Sequence, residues 1–187
     1  MSWKQLESNK VMETKLFQFR IDKCETSDGR VMPRYYVLDF PAWVQVIALT
    51  KDRKIVVVDQ YRYPGQGQFL ELPGGTSDPR TGETVLQAAQ RELLEETGYK
   101  SDCWIEVGFH YPNPALQTNQ CYVFLAVECE KYCEPQLDPF EELTVRVMPI
   151  KAFKETLRSS PKAHALIMAS LFLAEPHLEA VISGDRP

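Results

Sequence analysis

Histidine is scarce in this chain, and its three copies are scattered. His110, His164 and His177 read as structural or exposed residues, so no Ser-His-Asp or Cys-His arrangement is in view. Cysteine is little used as well. Cys24, Cys103, Cys121, Cys129 and Cys133 are odd in number and form no CxxC pair, which leaves reduced thiols as the expectation. Cys121, in an apolar run, reads as a small core residue. Positive charge is not in excess: 21 Lys and Arg stand against 26 Asp and Glu, a net charge of −5 with a sequence pI near 5.3. That balance excludes a general nucleic-acid-binding surface, but not an anionic substrate neutralised by metal and a few local cations. The opening MSWKQLESNK holds no apolar targeting core, and no stretch reads as a membrane span, so a cytoplasmic location without membrane partners is expected. Repeats and low-complexity segments are missing too. At 187 residues the chain fits one domain, or one with a small extra layer, and can bury a sizeable core.

What is present in quantity is acid, concentrated at one place. Glu92, Glu95 and Glu96 stand at i, i+3 and i+4. On a helix they fall within one arc of roughly 100°. Leu86, Ala89 and Leu93, with Leu94 beside them, mark an apolar face for a core. Such an acidic face is either simply solvated or a site for a hard cation such as Mg²⁺, whose oxygen preference turns like-charge repulsion into binding. The flanks define the helix. Thr84 and Gln87 have capping-box spacing, and Gly98 supplies a left-handed stop after Thr97. Upstream, Leu72-Pro73-Gly74-Gly75 ends an apolar strand and turns the chain into a loop holding Asp78, Pro79 and Gly82.

The remaining pattern alternates between strands and helices. Residues 15–26 and 31–40 predict two strands around the turn 27–30, a half-polar hairpin that needs something else to pack on. Residues 44–50 and 55–63 predict a better-buried pair, and 69–72, 103–111, 121–129 and 143–149 further strands. Helices are expected over 150–159 and from 162 to about 180, split by Pro161. A sheet sandwiched between helices follows.

The stretch from Glu83 resembles the second half of the Nudix hydrolase signature, G-x5-E-x7-R-E-U-x-E-E-x-G-U with U aliphatic. Glu83 is followed by seven residues and then Arg91, Glu92, Leu93, Glu95, Glu96 and Gly98, with Tyr99 in the last U place. The first half departs: seven residues separate Gly75 from Glu83 where the family has five. Loop-closure entropy grows slowly with length, so such an insertion is tolerable. Val56 to Pro64, VVVDQYRYP, resembles a segment of the ADP-ribose pyrophosphatase and nucleoside diphosphate sugar hydrolase group, and Pro114, sixteen residues beyond Gly98, resembles that group's marker proline. The loop after Pro114 reads ALQTNQC in place of the commoner glycine-containing form, which leaves room for nucleoside diphosphate sugars.

The resemblance implies a Nudix α/β/α sandwich with a mixed sheet over residues 42–187, preceded by a hairpin region over 1–41 that serves a homodimer. It implies Mg²⁺-dependent, or Mn²⁺-dependent, hydrolysis of the diphosphate in ADP-ribose or a nucleotide sugar, giving a nucleoside monophosphate and a sugar phosphate. Glu92, Glu96 and the backbone carbonyl of Gly74 are the implied metal ligands, with Glu95 a further ligand or the i,i+4 partner of Arg91. Arg62, Glu71 and Pro114 are the implied substrate residues, and Glu141 or Glu142, ahead of a late strand, the implied general base. Trp43, Tyr35 and Tyr36 could stack on a base or serve packing. Two other readings stand beside this one, a nucleotide-sensing module without catalysis and a hydrolase of dinucleoside polyphosphates or capped RNA. The intact acids argue for catalysis, and the lack of a basic track argues against RNA.

Overall fold

The computed structural model describes residues 2–183. They form two compact units, one made of the chain up to Ala42 together with Tyr111–Gln120, the other of Trp43–His110 and the chain from Cys121 onward.

The first unit is a three-stranded antiparallel sheet of β1 (Lys4–Glu13), β2 (Gln18–Glu25) and β3 (Val31–Asp39), in that order. The β2–β3 hairpin falls where the sequence places it, its turn closed by Thr26 N–H donating to the Arg30 carbonyl at 2.9 Å. β1 was not expected. All ten of its residues are exposed, so KQLESNKVME carries no buried period that could announce a strand. Pairing with β2 creates it, helped by a cross-strand contact of Lys23 with Glu7 at 2.7 Å. The 111–120 segment joins β3: Leu38 N–H donates to the Leu116 carbonyl at 2.8 Å and Thr118 N–H to the Leu38 carbonyl at 3.2 Å. Tyr35 donates its hydroxyl to the Ala115 carbonyl, and Tyr36 stacks on Phe19, so both rings have structural work inside this unit.

The second unit carries a mixed sheet. Its strands are β4 (Trp43–Thr50), β5 (Lys54–Arg62), β6 (Gly67–Glu71), β7 (Gly74–Thr76), β8 (Tyr99–Lys100), β9 (Cys103–His110), β10 (Cys121–Lys131) and β11 (Leu143–Pro149). The main path runs β11-β5-β4-β10-β8, with β6 on β5, β7 on β4 and β9 on β10. Only the β4–β10 ladder is parallel. Helices α1 (Val85–Thr97), α2 (Ile150–Ser159) and α3 (Ala165–Ser183) cover both faces.

The two-residue period of the strands divides the core. Ile47, Leu49, Ile55, Val57, Val123 and Leu125 point to one face and pack with Phe153 and Leu157 of α2 and Ile167, Leu171 and Leu178 of α3. Their neighbours Val44, Val46, Ala48, Val56, Phe124 and Ala126 point to the other and pack with Ala88, Ala89 and Leu93 of α1. The sheet is thus buried on both sides, which explains why 44–50 and 55–58 read as continuous apolar runs. By length and composition α3 is apolar enough to cross a membrane, unlike the expectation from sequence. Ile167, Ser170, Leu171, Ala174 and Leu178 form its buried stripe against the sheet, so its apolar character has a place in the core.

Candidate active site

The acidic helix forms as its capping signals dictate. Thr84 accepts a hydrogen bond from Gln87 N–H, and the Gln87 side chain accepts one from Thr84 N–H, completing the capping box. Gly98, at φ 70° and ψ 10°, ends the helix in the left-handed conformation and donates to the Leu94 carbonyl at 2.8 Å. The face toward the sheet is set by Ala88, Ala89 and Leu93, while Leu86, expected there, is exposed. Small residues at the helix–sheet contact let α1 approach closely.

That close approach buries acid. Glu96 is 4% exposed, and its Oε2 accepts Gly74 N–H at 2.8 Å. Glu92 lies against the next residue of the same turn: a Cβ added at Gly75 would stand 2.3 Å from Glu92 Oε1. Only glycine leaves space for that carboxylate. Burial lifts the Glu96 carboxyl to about 8, against the opposing pull of the Gly74 N–H, and burial likewise raises that of Glu92. One buried and one half-buried carboxylate on one glycine turn, without a full internal counter-charge, fit a hard divalent cation by donor type and by electrostatics.

One guanidinium organises the rest. Arg91 donates through Nε to Glu83 at 2.9 Å and through Nη1 to Glu92 at 3.0 Å and Glu95 at 2.9 Å, while Nη2 reaches the Thr76 carbonyl at 3.1 Å. The contact with Glu83 leads in raising the Arg91 pKa, and the same hydrogen bond lowers that of Glu83. Arg91 therefore stands among the acids, and among the described residues no three acid, His or Cys side chains already enclose a cation position. The longer Gly75–Glu83 loop is accommodated by a 3-10 turn at Pro79–Thr81, where Arg80 pairs with Asp78 at 2.8 Å. Asp78 N–H donates to Glu83 at 3.3 Å, so Glu83 keeps its contact with Arg91 despite the insertion.

A second polar cluster lies at the end of the β5–β6 hairpin. Glu71 is 3% exposed and receives Arg62 side-on, Nε to Oε1 at 3.0 Å and Nη2 to Oε2 at 2.7 Å. Burial alone would raise the Glu71 carboxyl; His164 and Arg62 outweigh it and hold it at about 2. The Arg62 side chain remains 45% exposed, and the outer edge of its fork, Nη1 and the second Nη2 hydrogen, has no partner among the described residues. Arg62 also feels the charges of Glu96 on α1 and of Glu141.

Glu141 belongs to the loop ahead of β11. Gln136 N–H donates to the Glu95 carbonyl at 2.7 Å, and Tyr61 N–H to the Glu142 carbonyl at 3.4 Å, so the loop is tied at one end to α1 and at the other to β5. Between these anchors Glu141 is half-buried and contributes to the potential at Glu92, Glu96 and Arg62, whereas Glu142 is exposed. Glu141 Oε2 accepts Asp138 N–H at 3.0 Å.

Gly74, Glu92, Glu95, Glu96, Arg62, Glu71, Glu141 and Glu142 all lie in the second unit; Pro114, exposed on the 111–120 segment, lies in the first. Sequence reasoning passed over His164, whose Nδ1 is 3.7 Å from Glu71 Oε2. No local signal could have paired residues 93 positions apart.

Comparison with known proteins gives a consistent result. The NUDIX domain model matches residues 40–169. The chain is 29% identical over 147 residues to an ADP-ribose pyrophosphatase of Bacillus subtilis (strain 168), covering 79% of this chain and 77% of that one. It is 33% identical over 99 residues to a methanol dehydrogenase activator of Bacillus methanolicus, covering 53% of this chain and 52% of that one. Among solved structures, an ADP compounds hydrolase matches with a TM-score of 0.82 at 21% identity, over 100% of this chain and 98% of that chain, a likeness of fold.

Proposed function

The chain belongs to the Nudix family, and from that premise we propose that it is a Mg²⁺-dependent pyrophosphohydrolase of ADP-ribose or a nucleoside diphosphate sugar, releasing a nucleoside monophosphate and a sugar phosphate. The observation that carries this reading is the Arg62 fork, set side-on by Glu71 with its outer edge unpartnered among the described residues, within electrostatic reach of Glu96 and Glu141. An anion-binding fork beside under-neutralised acids suits a diphosphate that arrives with a cation.

Glu92, Glu96 and the Gly74 carbonyl would hold Mg²⁺ or Mn²⁺, with Glu95 as a further ligand once released from Arg91. When bound, such an ion supplies Lewis-acid polarisation of the phosphoryl oxygens and a lower pKa for a coordinated water. The protein's own groups do the rest. Arg62 grips a phosphate oxygen through its free N–H groups and neutralises charge that develops on the leaving phosphate. Glu141 accepts the proton of the attacking water, the water oxygen forms the new bond to phosphorus, and the bridging P–O bond breaks with its electron pair leaving on the departing phosphate. Glu141 is preferred to Glu142 for this because it is half-buried where Glu142 is exposed, and its charge is felt at Glu92, Glu96 and Arg62. Arg91 keeps Glu92 and Glu95 from folding away before the cation arrives.

We also assign the first unit to homodimer formation and the enzyme to the cytoplasm. Trp3, Val11, Met12, Leu16, Val31 and Met32 are exposed apolar groups on its sheet and turns, an area a partner subunit would cover, and all five cysteines are free thiols. Light scattering on the purified protein reads the first directly.

The decisive experiment is turnover of ADP-ribose, ADP-glucose, GDP-mannose, UDP-glucose, Ap4A and NADH with Mg²⁺, with Glu96→Ala as control. Hydrolysis of a nucleotide sugar or ADP-ribose, lost in the variant, is the expected result. Folded protein that cleaves none of them with Mg²⁺ or Mn²⁺ would overturn the reading in favour of a nucleotide sensor.

A further inference from the structure

We infer that His164 is a positioning residue for the substrate: acting through Glu71, it fixes the aim of the Arg62 fork, so that the segment joining α2 to α3 sets substrate affinity. This inference rests on the reading of Arg62 as the phosphate-binding group.

The geometry is as follows. Arg62 stands at the last position of β5, where the strand gives way to a turn, and its side chain is 45% exposed. Strand geometry alone would leave such a side chain free to sweep through solvent. Its direction is set by Glu71, the last residue of β6, which is buried and takes both Nε and Nη2. Glu71 must then be fixed in turn. Oε1 has Arg62 Nε, and Oε2 has Arg62 Nη2 at 2.7 Å and His164 Nδ1 at 3.7 Å. The His164 ring rests edge-on against Phe69, with centroids 6.5 Å apart, which limits its rotation. Nδ1 is buried and finds no hydrogen-bond partner among the described residues, so the carboxylate of Glu71 is the group it can satisfy itself on. Either the Nδ1–H tautomer or the imidazolium donates in that direction, and a small ring rotation closes the gap.

The backbone of His164 has a separate duty. Its carbonyl accepts Ile167 N–H at 3.1 Å and Met168 N–H at 3.4 Å, starting α3. That contact survives any side-chain substitution, so the role of the ring can be tested apart from the role of the residue in the helix. The same segment grips the hairpin a second time, where Lys162 Nζ donates to the Gln66 carbonyl at 2.8 Å in the turn between β5 and β6. The connection from α2 to α3 thus holds the β5–β6 hairpin at its turn and at its base, with Arg62 between the two holds. An affinity-setting residue that touches no substrate follows: loss of the ring lets Glu71 and Arg62 move together, and the cost falls on binding.

The test is steady-state kinetics on ADP-ribose with Mg²⁺ for the wild type, His164→Ala, His164→Asn and Arg62→Ala, each with its thermal midpoint. Asparagine places an amide near the Nδ1 position and retains the polar contact. His164→Ala is expected to raise KM roughly tenfold with kcat within about twofold, as the loss of one charge-assisted contact would do, and His164→Asn to recover most of it. An unchanged KM in His164→Ala beside a raised KM in Arg62→Ala overturns the inference and leaves the function standing. Equal damage in the Asn and Ala variants, following their thermal midpoints, also overturns it, since that is the behaviour of a packing residue. A wild type that hydrolyses none of the substrates, or an Arg62→Ala variant with normal KM, removes the functional reading first and this inference with it.

Discussion

Glu71 and Glu96 are the same residue type, buried to the same degree, 3% and 4% exposed, in the same unit of the fold. Their carboxyls nevertheless lie at opposite ends of the scale, at about 2 and about 8. Burial disfavours charge at both. The difference is the partner: Glu71 has an Arg62 fork and His164 in contact, whereas Glu96 has a single backbone N–H from Gly74, the repulsion of Glu92 and Glu141, and only a weaker pull from Arg62. A buried acid with its cation built in is structural support. A buried acid without one keeps its proton, which is the condition the proposed cation-binding role of Glu96 would relieve.

The contrast is sharpest under isosteric substitution. Glu96→Gln removes the charge the site needs, so turnover should fall by roughly a thousandfold or more, read by product formation at saturating Mg²⁺. The metal-free variant should be no less stable than the wild type at pH 8, because a neutral side chain already suits that place. Glu71→Gln should do the reverse. Removing one partner of a buried pair should cost about 2 kcal/mol by denaturant unfolding, and KM should rise roughly tenfold with a smaller change in kcat.

Gly75→Ala tests whether Glu92 needs the space the turn leaves it, since the new methyl would meet Oε1 at 2.3 Å. A displaced carboxylate should lower kcat by about ten- to a hundredfold while the thermal midpoint moves little, because the group that must shift is a side-chain end.

The pH dependence separates the two acids without mutation. Below about pH 4.5, the ordinary value, folded and unfolded chains both hold the Glu96 proton; between there and about 8 only the folded chain does. The metal-free fold should therefore lose stability as pH rises through that window and level off above it. Mg²⁺ should flatten the loss by binding the ionised form. Glu71 contributes in the opposite sense: its stabilisation is present above pH 4.5 and is lost as pH falls toward about 2. Thermal midpoints in EDTA and in Mg²⁺ across pH 4 to 9 measure the upper window, and Glu96→Gln should abolish it.

The smallest effect expected is at the helix start. Thr84→Ala removes the capping hydroxyl and should cost about 1 kcal/mol in thermal unfolding with kcat unchanged.

These acids also mark what could be read from the chain. The α1 helix, its capping box, its glycine stop and the grouping of Glu92, Glu95 and Glu96 were legible because every interaction that defines them spans four residues or fewer. The buried strands β4, β5 and β10 were legible from apolar runs, for the same local reason. β1 was not, since its residues are exposed and only the ladder with β2 makes it a strand. Nor could sequence tell that Glu141 is half-buried and Glu142 exposed, for adjacent acids differ only in where the loop's two anchors turn them.

Local periodicity and capping, which depend on covalent spacing, thus determined by themselves the buried strands β4, β5 and β10 and the α1 helix with its acids. The tertiary structure alone decided which of those acids has an internal cation and which has not. Desolvation and charge at a buried carboxylate depend on what the folded chain brings within a few ångströms, and Arg62, Glu71 and His164 meet there from three separate segments.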